Sequence, residues 1–188
     1  LDSVPVGLLL AAGESRRFGA DKRLQLLADG TPMVLAAARA LRSVLSGVLV
    51  VVREPGVVAD RLAAEGLELV ICPAASAGMG HSIACGVAAS RDADGWLIAL
   101  GDMPWVSARS IGAVADALAE GASVARPVYA GVAGHPVGFS AAFRAALLGL
   151  QGDQGARGLL RQAAVTEVPC ADPGVLRDVD RPRDLESI

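Results

Sequence analysis

Four cations, Arg16, Arg17, Lys22 and Arg23, fall within eight residues near the start of the chain. An even spread of the 17 basic residues over 188 positions would put about 0.7 there. They follow the small residues Ala11, Ala12 and Gly13, which let a flat base or a phosphate approach the main chain closely. Massed cations on such a loop suit a polyphosphate, because Arg and Lys give charge-assisted hydrogen bonds to phosphate oxygens. A solvated basic turn is the plainer alternative. Lys22 stands apart as the only lysine, every other basic residue of the 17 being arginine. A chain that uses Arg wherever a generic cation suffices, and Lys once, singles that position out as a candidate for a compact ammonium, with a chance survivor as the alternative. Two phosphate-binding motifs are excluded by spacing. Gly13 and Gly19 do not make G-x-G-x-x-G, and Lys22 between Asp21 and Arg23 is not the Gly-Lys-Ser/Thr of a P-loop.

The carboxylates are fewer and better placed. Asp102 follows the apolar run Trp96–Leu100, at the carboxyl end of a predicted strand, where ligands sit in open α/β sheets. It can coordinate a Mg²⁺ ion that bridges triphosphate oxygens, or cap the turn through Pro104 to Ser107. Asp180 is the candidate second carboxylate on that ion; alternatively it opens a helix before Arg181-Pro182. His135, between Gly134 and Pro136, has a structural and a ligand-facing reading. Asp153 and Arg157 lie in the glycine-rich link Gly149–Gly158, which needs no ligand to explain it.

The elements that must position these groups read as α/β. Val6–Ala12, Val48–Val52, Leu67–Ile71 and Trp96–Leu100 are apolar runs without polar alternation, as in strands of a parallel sheet buried on both faces. Between them, Thr31-Pro32 reads as an N-cap and first helical residue, followed by the stripe Val34, Ala37, Leu41 and Val44. Val58–Ala64 and His81–Ser90 are shorter helices. Ser107 caps a helix with Ile111, Val114 and Leu118 inward, ended by Gly121. Beyond it, Ala122–Tyr129 and Ala133–Ser140 read as a ribbon, Ala141–Leu148 as a helix, and Val165–Val168 and Val175–Val179 as strands. The expectation is one domain with right-handed crossovers.

Composition fits a globular chain: 53% hydrophobic, 20% charged, with 22 Gly and 10 Pro for tight turns. The apolar runs are too short to span a bilayer, and no charged-then-apolar leader opens the sequence, so the expected location is the cytoplasm. A net charge of −3 argues against nucleic-acid or anionic-membrane partners. Cys72, Cys85 and Cys170 are odd in number and dispersed, which reads as three thiols rather than a disulfide framework or a metal cluster.

With these residues in view, a family resemblance is clear. Leu10-Ala11-Ala12-Gly13-Glu14-Ser15-Arg16-Arg17-Phe18-Gly19-Ala20-Asp21-Lys22 resembles the signature of the nucleotidyltransferases that activate molybdopterin, in their cytidylyltransferase (MocA-like) branch within the MobA-like NTP transferases. The guanylyltransferase branch has Leu-Ala-Gly-Gly where this chain has Leu10–Gly13. Gly78–Ser82 resembles the second nucleotide loop, and Leu100–Pro104 the metal-binding strand end. Gly134–Phe139 and Gly152–Arg157 resemble the acceptor segments, and Asp178–Leu185 the closing motif.

The resemblance implies a three-layer α/β/α, Rossmann-like nucleotidyltransferase (glycosyltransferase-A-like) fold with a mostly parallel central sheet. It implies CMP transfer from CTP to molybdopterin. Lys22, Arg17 and Asp102 would be catalytic, and Ala11, Ala12, Gly13, Arg16, Arg17, Lys22, Gly80 and Ser82 would bind nucleotide through free main-chain N–H groups and side chains. His135, Asp153 and Arg157 would face the acceptor; Asp102 and Asp180 would hold Mg²⁺. CTP and molybdopterin are the expected partners, with transient contact to a client molybdoenzyme, and a monomer is expected. The family commonly has Ser at His81, Asn-Pro at Cys72-Pro73 and Thr at Arg181. The alternatives are guanylyl transfer, a sugar-phosphate acceptor, or a chaperone that only carries the cofactor.

Overall fold

The computed structural model describes residues 4–13, 21–153 and 155–185. Four parallel strands form its centre: β1 (Val6–Leu10), β2 (Val48–Val52), β3 (Glu68–Ile71) and β4 (Gly95–Leu100), in the order β3-β2-β1-β4. The register pairs Leu8 with Leu49 on one side and with Ile98 on the other. Side chains alternate between the two faces of a strand, so neighbouring residues enter different cores. Leu9, Val50 and Leu97 pack under α1 (Met33–Arg42), α2 (Val57–Ala64) and α4 (Ala108–Ala119). Leu8, Leu49, Trp96 and Ile98 pack under α3 (Met79–Ala89) and α5 (Arg144–Leu148). This two-sided burial makes the apolar runs continuous, and truncating Leu9, which is 0% exposed, to Ala would cost about 2–5 kcal/mol. The architecture is three-layered α/β with a mostly parallel sheet.

β3 departs from expectation. It is the sheet edge, and Glu68 and Ile71 are exposed, so this apolar run is not buried on both faces. The first helix also begins differently. Its preceding residue is Pro32, no side chain caps it, and the Met33 N–H instead reaches the Gln25 carbonyl at 2.8 Å. Ser107 does cap α4, accepting from the Ser110 N–H, and Gly121 follows with φ 102°.

Past β4 the sheet turns antiparallel. β5 (Val124–Tyr129), β6 (Val132–Ala133) and β7 (Val137–Ser140) form the expected ribbon, and β7 pairs with β4. The returning strand is broken at Gly134–Pro136, where Pro136 has no N–H to give and the His135 N–H leaves the ladder for the Val175 carbonyl. α6 (Arg157–Gln162) leads into β8 (Val165–Pro169), parallel to β5. Val175–Val179 is not a strand. A 3-10 turn covers Pro173–Leu176, and the segment after it crosses the sheet end instead of pairing with it.

The cysteine expectation is also corrected. Cys72 and Cys85 form a disulfide with Cα atoms 6.1 Å apart, and Cys170 is the free cysteine. Cys72 ends β3's exit, and Cys85 stands on the face of α3 turned toward Ala12, Val51 and Ala75. No described helix is long and apolar enough to cross a membrane.

Candidate functional site

β1 and β4 end side by side, tied by the Gly101 N–H on the Leu10 carbonyl at 2.9 Å. A cleft of about 450 Å³ opens over these ends, lined by Ala11, Ala12, Lys22, Ser82, Asp102 and Asp153 among others. Residues from five separate sequence segments thus share one cavity. Arg16 and Arg17 lie outside the described residues.

Lys22 is delivered by a 3-10 turn, Lys22–Leu24, capped by Asp21. The neighbouring cation Arg23 is committed to structure. Its guanidinium donates to both Asp21 carboxylate oxygens, at 2.8 and 2.6 Å, and to the Ala11 carbonyl at 2.8 Å. It therefore braces the loop against the end of β1. Lys22 points into the cleft instead: its Nζ donates to Asp102 Oδ2 at 2.9 Å and to the Val179 carbonyl at 3.0 Å, and stands 3.6 Å from Asp180 Oδ1. Val179 is buried and its own N–H donates to the Asp102 carbonyl, so the closing segment is stitched to β4's end.

Asp180 owes its position to Asp184, whose Oδ2 accepts from the Asp180 and Arg181 N–H groups at 2.9 and 2.8 Å. Those bonds hold the Asp184 carboxyl below its usual range. Asp184 caps the turn that Arg181 cannot, leaving the Asp180 carboxylate to face Lys22. Asp178 adds a third negative group. Burial, and then the Asp180 and Asp102 charges, push its carboxyl above the ordinary range. Neither Asp178 nor Asp184 was singled out by residue type, although both sit in the Asp-rich run after Leu176.

Asp102 and Asp180 are two hard oxygen donors brought to one ammonium from distant parts of the chain. That donor set fits Mg²⁺, which takes one or two protein carboxylates and fills its shell with phosphate oxygens and water. Among the described residues no group of three His, Cys, Asp or Glu side chains could hold an ion alone.

The second nucleotide segment differs from its expected form. Met79 already belongs to α3, so the segment is the helix's first turn rather than a loop ahead of it. The Gly80 N–H is taken by the Gly152 carbonyl at 2.8 Å and the His81 N–H by the Gly78 carbonyl, so neither is free to meet a base. Ser82, only 4% exposed, and Met79 line the cleft.

The acceptor residues are divided. Asp153 lines the cleft and also an open groove of about 620 Å³ beside α6. Arg157 begins α6 and is exposed. His135 is not a cleft-lining residue; with Met103 and Ile111 it borders a separate gap of about 10 Å³. Burial holds its pKa below 6.5, against the opposing pull of the Asp102 charge.

A mostly parallel sheet layered by helices, with a cleft and a carboxylate at the end of β4, is the open α/β arrangement in which ligands bind beyond the carboxyl ends of the strands. Residues 7–168 match the family described as the MobA-like NTP transferase domain, and the chain belongs to that family. It is 33% identical to the purine catabolism protein PucB of Bacillus subtilis, over 97% of this chain and 95% of that one. It is 30% identical to nicotine blue oxidoreductase of Paenarthrobacter nicotinovorans, over 93% and 91% of the two chains. Among solved structures it resembles the manganese complex of Rv0371c from Mycobacterium tuberculosis, with TM-score 0.75, 26% identity, and coverage of 98% of this chain and 100% of that one. The protein is a nucleotidyltransferase of the MobA-like family.

Proposed function

We propose that this enzyme transfers CMP from CTP to the terminal phosphate of molybdopterin, giving molybdopterin cytosine dinucleotide and pyrophosphate. One observation carries the reading: the only lysine is aimed between two carboxylates in a cleft that it lines with Ala11 and Ala12. In the reaction an oxygen of the acceptor phosphate attacks the α-phosphorus, the bond to the β-phosphate oxygen breaks, and pyrophosphate leaves with those electrons. The nucleophile is already ionised, so no general base is needed. Lys22 donates to phosphate oxygens as charge develops on them, which is preorganised electrostatic stabilisation. Asp102 and Asp180 would hold Mg²⁺, which when bound neutralises triphosphate charge and orients the α-phosphate. Arg17, with Arg16, would hold the departing pyrophosphate. Ala11, Ala12, Gly13 and Ser82 border the base and ribose, and Asp153 and Arg157 meet the acceptor. The related Rv0371c is known as a complex with manganese, which supports a divalent ion as a ligand of this chain as well.

The Paenarthrobacter relative carries an oxidoreductase name. The first loop here lacks dinucleotide-fingerprint spacing, and the lysine between two carboxylates suits phosphoryl transfer, so the transferase reading is kept. Pyrophosphate release, measured with purified molybdopterin, Mg²⁺ and each of CTP, GTP and ATP, tests it. CTP should lead in kcat/KM by a wide margin. Preference for GTP would move the chain to guanylyl transfer, and cofactor binding without turnover would make it a carrier.

A further inference from the structure

His81 stands where the resembled family commonly has Ser, and its side chain is used. The Gly152 N–H donates to His81 Nδ1 at 3.2 Å while the Gly152 carbonyl accepts from the Gly80 N–H at 2.8 Å. One residue of the acceptor loop is therefore gripped at both ends by the first turn of α3. The fit around it is main chain against main chain. A Cβ on Gly78, whose φ is 129°, would collide with the Gly152 carbonyl group, and one on Gly80 would come within 2.7 Å of the Gln151 oxygen. Residue 152 is followed by Asp153, which lines the cleft, and the same helical turn carries Met79 and Ser82, which line it too. Of the two hydrogen bonds, only that of His81 depends on a side chain.

Resting on the reading of function above, we infer that His81 is a positioning residue for the acceptor: it clamps the loop bearing Asp153 to the helix that borders the nucleotide. The bond requires the tautomer with its hydrogen on Nε2, because only an unprotonated Nδ1 can accept. Loss of the bond frees one buried-side N–H and loosens the loop without touching Ser82.

The test compares His81→Ala, His81→Asn and His81→Gln. Asn places its Oδ1 close to where Nδ1 stands and can accept the same N–H; the Gln oxygen lies one bond further out. In His81→Ala and His81→Gln the KM for molybdopterin should rise about tenfold, the scale of one net hydrogen bond, with KM for CTP within about twofold and kcat little changed. His81→Asn should restore the wild-type KM. Hydrogen exchange of the 149–156 segment in the ligand-free enzyme should speed up in the Ala and Gln variants and remain slow in Asn. Unchanged exchange in His81→Ala overturns the clamp, as does a parallel rise of both KM values or failure of Asn to rescue. A wild-type enzyme that moves no CMP to molybdopterin overturns the functional reading instead, and the exchange measurement, which needs no substrate, still decides the clamp.

Discussion

Lys22 Nζ lies 2.9 Å from Asp102 Oδ2, and the same ammonium stands 3.6 Å from Asp180 Oδ1. The lysine thus joins the first loop, the end of β4 and the closing segment at one point. Its side chain is 16% exposed and that of Asp102 26%, so solvent screens the pair only in part. A group so paired is held at a fixed place before any phosphate arrives.

Removing either carboxylate should separate chemistry from folding. For Asp102→Ala we expect kcat to fall by about 10²–10³ or more, on the scale of a lost preorganised charge contact. Asp180→Ala should lose about tenfold to a hundredfold, because its carboxylate is exposed and further from Lys22. Both proteins should unfold cooperatively, since neither side chain fills core volume. Pyrophosphate release measured beside urea unfolding checks this; full activity in a folded Asp102→Ala variant would remove Asp102 from the site.

Ala12 is 6% exposed, lines the cleft and packs with Val51, Cys72 and Ala75. Ala12→Gly adds room and backbone freedom there. The ratio of kcat/KM for CTP over GTP should drop by about tenfold, the scale set by one methyl-sized change in a pocket. An unchanged ratio would place base selection on other residues.

The Cys72–Cys85 bond gives a chemical count. Protein denatured without reductant should show one thiol, that of Cys170, and three after reduction. Closing a loop of this length stabilises by about 3 kcal/mol in the chain-entropy description, so the urea midpoint should fall on reduction. Three thiols before reduction would contradict the pairing.

His135 sets a pH dependence whose sign follows from its depressed pKa. Folded, it takes a proton only below the ordinary range; unfolded, it takes one near 6.5. Above that pH both states are neutral and the full stability is present. As pH falls below it the unfolded state binds the extra proton, and stability is lost until the folded pKa is reached. Unfolding free energy should therefore fall as pH drops below about 6.5, less steeply in His135→Gln. Equal slopes in the two proteins would show that His135 is not protected from protonation.

What could be read from the chain, and what could not, divides on physical lines. Val48–Val52 matches its strand residue for residue because helices cover both faces. Leu67–Ile71 has a similar look but lies at the edge, and strand order is not written in periodicity. Ala133–Ser140 is broken because the His135 N–H finds Val175, a partner forty residues away. Val175 and Val179 are buried not in a strand but where the closing segment meets the sheet end, with Val179 locked onto Asp102 and Lys22. Lys22 and Asp102 stand out by type and position. His81 and the Cys72–Cys85 bond act through tertiary contacts, and nothing in their spacing announces them, while Asp184 acts through local bonds to the Asp180 and Arg181 N–H groups.

The most direct measurement follows the α-phosphate. With CTP labelled at that phosphorus, purified molybdopterin and Mg²⁺, single-turnover transfer is compared in wild type, Lys22→Arg and Lys22→Ala, beside CTP affinity. Label should pass to molybdopterin in the wild type. The Arg variant should slow by about 10²–10³, since a planar, wider guanidinium cannot take the place of a compact ammonium against a phosphate held at fixed distance, while CTP affinity falls far less. Wild-type rates of label transfer in Lys22→Arg, or no labelled molybdopterin from the wild-type enzyme, would contradict this assignment.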